Sequence, residues 1–307
     1  MNNKASKILY YVLMTLLAAL FMFPLVWMIS SSLKPEAAIY NDLDSIKALL
    51  PSGHISEWFF SYKEIFGRFD IVRYMTNSVL YAGSVTIGSI AVNSLAGFAF
   101  AKFDFKGKAI LFGLMIALLV IPGETIMISK FVIAQKLGIL NSQLAVILPL
   151  MASPLFIYMF QNFFKAIPED VQESAKLDGA NQFQIYWKVM LPMSKPAIAT
   201  VGTLSFIMSW NDYIWPLMVL TDSTKFPLQV AITNINNTQP VYTNQVMAIL
   251  TISCTSSTCA TAIISVSFST GFRATIAAML TVCAISTANR PMNRAMKYWL
   301  KTRNGIR

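Results

Sequence analysis

Long apolar runs separated by short polar segments set the rhythm of the chain. The first, from about Ile8 to Ile29, follows Lys4 and Lys7. The second, from about Asn77 to Ala101, is dotted with Gly83, Ser84, Ser89, Ser94 and Gly97, small residues that let membrane helices approach closely. A third covers about Ala109 to Ile128, a fourth about Leu144 to Phe164 and a fifth about Ala197 to Leu220, and a sixth begins near Val246. These runs approach or exceed the roughly 20 residues that cross a bilayer as a helix. The pattern predicts an all-α polytopic membrane protein with about six transmembrane helices. Residues 33–74 read as mixed and polar, Lys130 to Asn141 as the joint between the third and fourth spans, and 221–244 as a polar loop rich in Asn and Thr.

One polar stretch stands out, Pro168 to Pro196, between the fourth and fifth spans. It predicts a helix–turn–helix. Pro168 suits the first turn of a helix, where its missing N–H costs nothing, and Glu169 and Asp170 suit the positive end of the helix dipole. Asp178-Gly179 reads as a helix stop, because glycine tolerates the left-handed conformation required there. Phe183, Tyr186, Trp187 and Met190 recur at helical spacing beyond the turn, bounded by Pro192 and Pro196.

Composition agrees with the apolar pattern. Of 307 residues 55% are hydrophobic and only 12% charged, too few charges for a soluble domain of this length. The net charge of +10 is not read as a nucleic-acid footprint, because the basic residues cluster beside apolar segments. With the N-terminus inside, sixteen Lys and Arg fall on the cytoplasmic side, against eight outside. That asymmetry predicts six helices with both termini cytoplasmic and the 168–196 element in the cytoplasm. A signal peptide would have a shorter apolar core and a small-residue cleavage site, so the first run is expected to be retained. His54 is the only histidine, and Cys254, Cys259 and Cys283 have no partner at metal-ligand spacing. No metal site, disulfide framework or catalytic constellation is expected.

The last quarter fits less smoothly. From Thr251 to Ala288, 15 of 38 residues are Ser or Thr, and no Asp or Glu follows Asp222. Two shorter apolar stretches, about 246–268 and 274–288, stand for one crossing plus an interfacial segment, or for two crossings.

Within the polar element the spacing is specific: Glu173-Ser174-Ala175, three residues, Gly179, nine residues, Val189, then Leu191-Pro192. It resembles the EAA motif of ABC importer permeases (Glu-Ala-Ala, three residues, Gly, nine residues, Ile, one residue, Leu-Pro), with Ser174 and Val189 as mild departures. FPLVWMISSSLKP at Phe23 to Pro35, SLAGFAFAKFDFKGK at Ser94 to Lys108, IPGETIMISKF at Ile121 to Phe131 and WNDYIWPL at Trp210 to Leu217 are similar to the carbohydrate branch. The likeness is greatest to the second permease of maltose-type importers. It covers roughly residues 8–253, the expected permease transmembrane domain, after a cytoplasmic N-terminus at 1–7. Residues 254–307 form a divergent sixth helix and basic tail.

The resemblance implies a multi-pass subunit of a prokaryotic plasma membrane that moves a carbohydrate by alternating access. The 168–196 element would be the coupling helix, with Glu173, Ser174, Ala175, Asp178, Gly179, Ala180, Leu191 and Pro192 engaging an ATPase dimer. Val171, Ser174 and Ala175 would form the side that seats there. A second permease completing a heterodimer, an extracytoplasmic solute-binding protein and membrane lipid are the other implied partners. No GxxxxGK[ST] loop is present, so ATP is expected to bind the partner and no cofactor this chain. Ser205, Ser209 and Asp212 share helical spacing, and Ser209, Asn211, Asp212 and Tyr213 are candidates for the translocation path. The competing reading gives Asp212 a packing role at the outer interface. An ATP-independent secondary transporter or channel, using Asp212 and Glu124, is the rival function; it leaves the EAA spacing unexplained.

Overall fold

The computed structural model describes residues 4–238 and 240–270, with side chains described over 7–262. Among the described residues every regular element is helical and no strand occurs. In chain order they are α1 (Lys4–Ser32), α2 (Glu36–Asn41), α3 (Phe60–Arg68), α4 (Ile71–Lys102), α5 (Lys108–Ala117), α6 (Gly123–Lys136), α7 (Gln143–Ile147) and α8 (Pro154–Ala166). Then follow α9 (Glu169–Leu177), α10 (Gln182–Gln184), a π-helical turn (Ile185–Met190), α11 (Leu191–Met193), α12 (Lys195–Trp210), α13 (Ile214–Val219), α14 (Leu228–Asn237) and α15 (Thr243–Thr270).

Prolines and polar breaks divide three of the runs expected to be single spans. The run over 109–128 is cut at 118–122, because Pro122 has no N–H and forces Ile121 out of the helical region. Helix then resumes as α6 through most of the segment expected to join the third and fourth spans. The fourth run bends by 45° between Gln143–Leu150 and Pro154–Ala166, and the fifth is interrupted at Asn211–Tyr213. Among the described residues only α1, from Lys7 to Ser32, and α4 are long and apolar enough by themselves to cross a bilayer; the bent pair makes a third if read as one span.

The 221–244 segment is not a plain loop. Leu228, Ala231 and Ile235 recur at i, i+3 and i+7 and are buried, which folds α14. The first of the two expected C-terminal stretches is continuous helix to Thr270. The second stretch, Cys283 and the basic residues from Arg273 to Arg307 lie outside the described residues.

The described residues divide into two compact units, 4–73 with 228–256, and 74–227 with 257–270. In the first, α1 leaves its apolar side chains exposed from Ile8 to Val26, a surface suited to lipid or to another membrane helix. Beyond it Lys34 is 2% exposed, and its ammonium is held by Asp42 Oδ2 at 2.9 Å and the Lys47 carbonyl at 2.6 Å. The start of α15 is held by acids from α2 and α3. Glu36 Oε2 accepts from the Asn244 N–H at 3.0 Å, and Glu64 Oε2 from the Gln245 amide at 2.9 Å. The Glu36 carboxylate satisfies a free backbone N–H there, and both acids favour the positive end of the helix.

The second unit is built on α4. Gly97 has no room for a side chain: a Cβ there would lie 2.6 Å from Phe160 Cβ and 2.9 Å from the Gln161 backbone nitrogen on α8. A few residues away, buried Asn93 repairs the break in the fourth run. Its amide nitrogen donates to the Met151 carbonyl at 2.9 Å, and its Oδ1 accepts the Ser153 N–H at 2.9 Å. Broken helices are tolerated in a membrane only when neighbouring side chains satisfy the freed backbone in this way. At the other end of the unit Asn141 adopts a left-handed conformation, φ 54. Its Oδ1 accepts the N–H groups of Thr221 and Asp222, and its carbonyl accepts from Lys225 Nζ at 2.8 Å.

Candidate functional site

The 168–196 segment folds as the hairpin expected, with local differences. Pro168 sits one position earlier than expected, as the N-cap of α9. The turn is a Schellman motif: the Ala180 N–H reaches the Ala175 carbonyl and the Gly179 N–H the Lys176 carbonyl, both at 3.0 Å. Gly179 carries φ +80, the conformation that only glycine adopts without strain. The next helix opens on a capping box, in which Asn181 Oδ1 accepts the Gln184 N–H at 2.8 Å and Gln184 Oε1 the Asn181 N–H at 2.9 Å. The N-x-x-Q pattern carried that signal in the sequence.

Pro192 does not end the second helix. The chain widens into a π-turn ahead of it, with the Leu191 N–H reaching the Tyr186 carbonyl. That widening moves the Lys188 carbonyl away from the proline ring, which would otherwise collide with it. The π-turn also rotates Ile185, Tyr186 and Met190 into one buried cluster with Phe98 of α4, Phe160 and Phe164 of α8, and Val201 of α12. Inside the cluster the Tyr186 and Ser94 hydroxyls are 2.7 Å apart. Burial pushes the Tyr186 phenol above its ordinary value, while the bond to Ser94 pulls the other way. A second tie is made by Lys102 Nζ at the end of α4, which donates to the Ile167 carbonyl at 3.0 Å, just before α9. Neither tie had a signal in the sequence.

The structure divides the residues of the motif between two faces. Ala175, Ala180 and Leu191 pack against the buried cluster, and Val171 is half-buried. Val171 and Ala175, expected on the outward side, therefore face the chain's own core more than Ser174 does. Glu173, Ser174, Asp178, Gly179 and Pro192 are exposed, and Ser174 Oγ donates to the Asp170 carbonyl at 2.7 Å. Around them lie bare apolar side chains: Leu177 is 89% exposed, Phe183 67% and Trp187 60%.

The candidate path residues fall at the break in the fifth run. Helix α12 ends at Trp210, so Ser205 and Ser209 lie on it while Asp212 leaves the stripe. Ser209, Asp212 and Tyr213 are half-buried and Asn211 is exposed. Asp212 Oδ1 accepts the Trp215 N–H at 3.3 Å, a cap at the opening of α13. Asn211 Nδ2 donates to the Ile207 carbonyl at 2.9 Å. Two buried polar atoms on α12, Ser205 Oγ and Trp210 Nε1, have no partner among the described residues. The described residues contain no cluster of acids, histidines and cysteines able to hold a metal.

Comparison with known proteins assigns the architecture. The family model "Binding-protein-dependent transport system inner membrane component" matches residues 93–288, past the point at 253 where the motif resemblance fades. The arabinooligosaccharides transport system permease protein AraQ of Halalkalibacterium halodurans is 29% identical over 261 residues, covering 82% of this chain and 92% of the relative. The lactose transport system permease protein LacG of Rhizobium radiobacter is 28% identical over 220 residues, covering 72% and 78%. The sn-glycerol-3-phosphate transport system permease protein UgpE of Yersinia pestis is 32% identical over 176 residues, covering 57% and 63%. A solved bacterial ABC transporter involved in the import of the acidic polysaccharide alginate shares the fold, with TM-score 0.75 and 24% identity over 83% of this chain and 93% of that one. Matched over more than half its length, the chain belongs to the inner membrane components of binding-protein-dependent transport systems, as a non-catalytic permease subunit of an ABC importer.

Proposed function

We propose that this permease passes a carbohydrate or a glycerol phosphate, delivered by a solute-binding protein, and that the 168–196 hairpin is where a separate ATPase dimer drives it. The observation that carries this reading is the division of the hairpin into two faces. One is fixed in an aromatic cluster with α4, α8 and α12. The other presents Glu173, Asp178 and Gly179 among bare Leu177, Phe183 and Trp187. Exposed apolar groups rimmed by polar ones mark a protein interaction surface. A docking face joined to α4, α8 and α12 suits a part that converts closure of an ATPase into rigid-body motion of a permease.

The substrate class rests on relatives named for arabinooligosaccharides, lactose and sn-glycerol-3-phosphate. A second permease completes the pore in this reading. Six crossings are made by α1, α4, α5 with its continuation into α6, the bent pair α7–α8, α12–α13, and α15. The amino terminus and the hairpin are cytoplasmic. Ser209, Asn211, Asp212 and Tyr213 lie where the fifth crossing is interrupted, and irregular backbone at membrane depth is tolerated where it lines a cavity or is buried in protein. That supports a place for them beside the path.

Gly179→Asp and Glu173→Lys, made in the assembled importer, test the docking face. Uptake should be abolished and co-purification of the ATPase weakened, with membrane insertion unchanged. Normal uptake in both variants would overturn the assignment.

A further inference from the structure

Beside the base of the hairpin, where α4 ends and α5 begins, lies an open groove of about 650 Å³. Its apolar wall is aromatic, made by Phe100, Phe105 and Phe112. Its polar side carries Lys108, Lys165, Gln161 and one carboxylate, Asp104. Gln161 is the informative residue. It is 3% exposed, held down by the close approach of α8 to Gly97, and its side-chain amide forms no hydrogen bond among the described residues. An amide at the edge of a groove that no protein group engages is open to whatever enters the groove.

The groove also opens on the first turn of α5. Gly107 is the N-cap of that ten-residue helix, in the left-handed conformation and with no side chain to cap the free amides. Ala109 and Ile110, in the first turn, line the groove. Free amides and the positive end of a helix favour an anion. The surrounding charge agrees: Lys102, Lys106, Lys108 and Lys165 lie on these segments against Asp104 alone. Lys102 is engaged by the Ile167 carbonyl, and Lys108 by Asp104 at 3.0 Å and the Phe103 carbonyl at 2.7 Å. Asp104 is fully exposed, so its hold on Lys108 is that of a solvated pair. Lys165 is exposed and forms no ion pair among the described residues.

We propose that this groove binds an anionic phospholipid of the cytoplasmic leaflet. The headgroup phosphate sits at the first turn of α5, between Lys165 and Lys108 and within reach of the Gln161 amide, and an acyl chain lies along Phe100, Phe105 and Phe112. The combination selects a lipid rather than a soluble anion, because the aromatic wall has no use for a free phosphate. Basic pockets beside membrane helices on the cytoplasmic side are suited to acidic headgroups. Since Lys165 and Ile167 lead directly into α9, the lipid would brace the hairpin at its root.

The proposal rests on the reading that places this end of α4 in the cytoplasm, and the two are separable. Lys106→Cys in otherwise cysteine-free protein should react with a membrane-impermeant maleimide in inside-out vesicles and not in right-side-out ones. The reverse labelling would overturn the orientation alone. For the lipid, the importer complex purified in detergent is given equal phosphatidylglycerol and phosphatidylcholine and examined by native mass spectrometry. Phosphatidylglycerol should be retained preferentially. Lys165→Ala should lower that retention about fivefold, and Gln161→Leu should lower it while leaving the complex assembled. Equal retention of the two lipids, or no effect of either substitution, would overturn the proposal. Displacement of the lipid by millimolar inorganic phosphate would overturn it in favour of a free-anion site.

Discussion

The hydroxyls of Tyr186 and Ser94 lie 2.7 Å apart in the buried cluster that joins the hairpin to α4. Ser94 Oγ is also 3.3 Å from the Ala91 carbonyl, so the consistent arrangement has Tyr186 donating to Ser94 and Ser94 donating back along its own helix. The bond thus joins the hairpin to the helix around which the second unit is built.

Tyr186→Phe removes that donor and leaves the tilted ring contact with Phe98, at 5.3 Å between centroids, in place. The expected cost is about 1 kcal/mol, read as a lower unfolding temperature of the purified complex. If the hairpin has the proposed docking role, uptake should fall more than ATP hydrolysis. Equal falls in both would show a purely structural bond. Burial raises the phenol above 10.0, so the neutral donor's contribution is complete below that pH and is lost only as pH rises through the raised value. Wild type and Tyr186→Phe should therefore have the same pH dependence between about 6 and 9.

Gly97 and Gly88 both lie on α4 against the fourth run, yet an added side chain would meet different obstacles at the two. A Cβ at Gly97 would meet Phe160 Cβ at 2.6 Å and the α8 backbone at 2.9 Å, whereas at Gly88 it meets only the side chain of Met151. Methionine can swing away; a helix backbone cannot. Gly97→Ala should destabilise the complex by about 1–3 kcal/mol, and Gly88→Ala by clearly less, measured by thermal aggregation in detergent. Equal effects would mean that the α4–α8 approach does not limit stability.

The all-helical, membrane-spanning outline of this molecule is legible in the sequence because apolar run length is a one-dimensional property. Breaks are harder. Pro122 is plain to see, but the apolar run continues past it and hydropathy hides the interruption. The bend at 151–153 depends on Asn93, nearly sixty residues away, and nothing local to either segment discloses that pairing. The motif spacing locates the hairpin, and Gly179 marks its turn for a reason that residue type alone conveys. Its two faces are not legible: the π-turn before Pro192 changes which residues point inward, and sequence periodicity assumes that a helix keeps its pitch.

Asp212 separates a cap from a path residue. Its Oδ1 accepts the Trp215 N–H at 3.3 Å, and Asp212→Asn keeps that acceptor while removing the charge. For a cap, Asp212→Asn should match wild type in stability and uptake, and Asp212→Ala should lose about 1 kcal/mol. Loss of uptake in a stable Asp212→Asn protein would instead assign the carboxylate to the translocation path.

Gly179 allows the backbone and the surface to be tested apart. Its φ of +80 would strain any other residue, but a Cβ there meets nothing within 4 Å. Gly179→Ala should therefore cost only about 1–2 kcal/mol, from the left-handed backbone, and Gly179→Asn less, because asparagine enters that region more readily. Neither change crowds the chain's own core, since the space outside Gly179 is open. Gly179→Asp has a closely similar backbone requirement to Gly179→Asn and differs chiefly by a charge placed beside Asp178 on the exposed face. If that face receives a partner, uptake should be abolished in Gly179→Asp, reduced in Gly179→Ala and best preserved in Gly179→Asn, while thermal stability separates the three far less. If uptake instead tracks stability across the series, the glycine is needed for its turn alone.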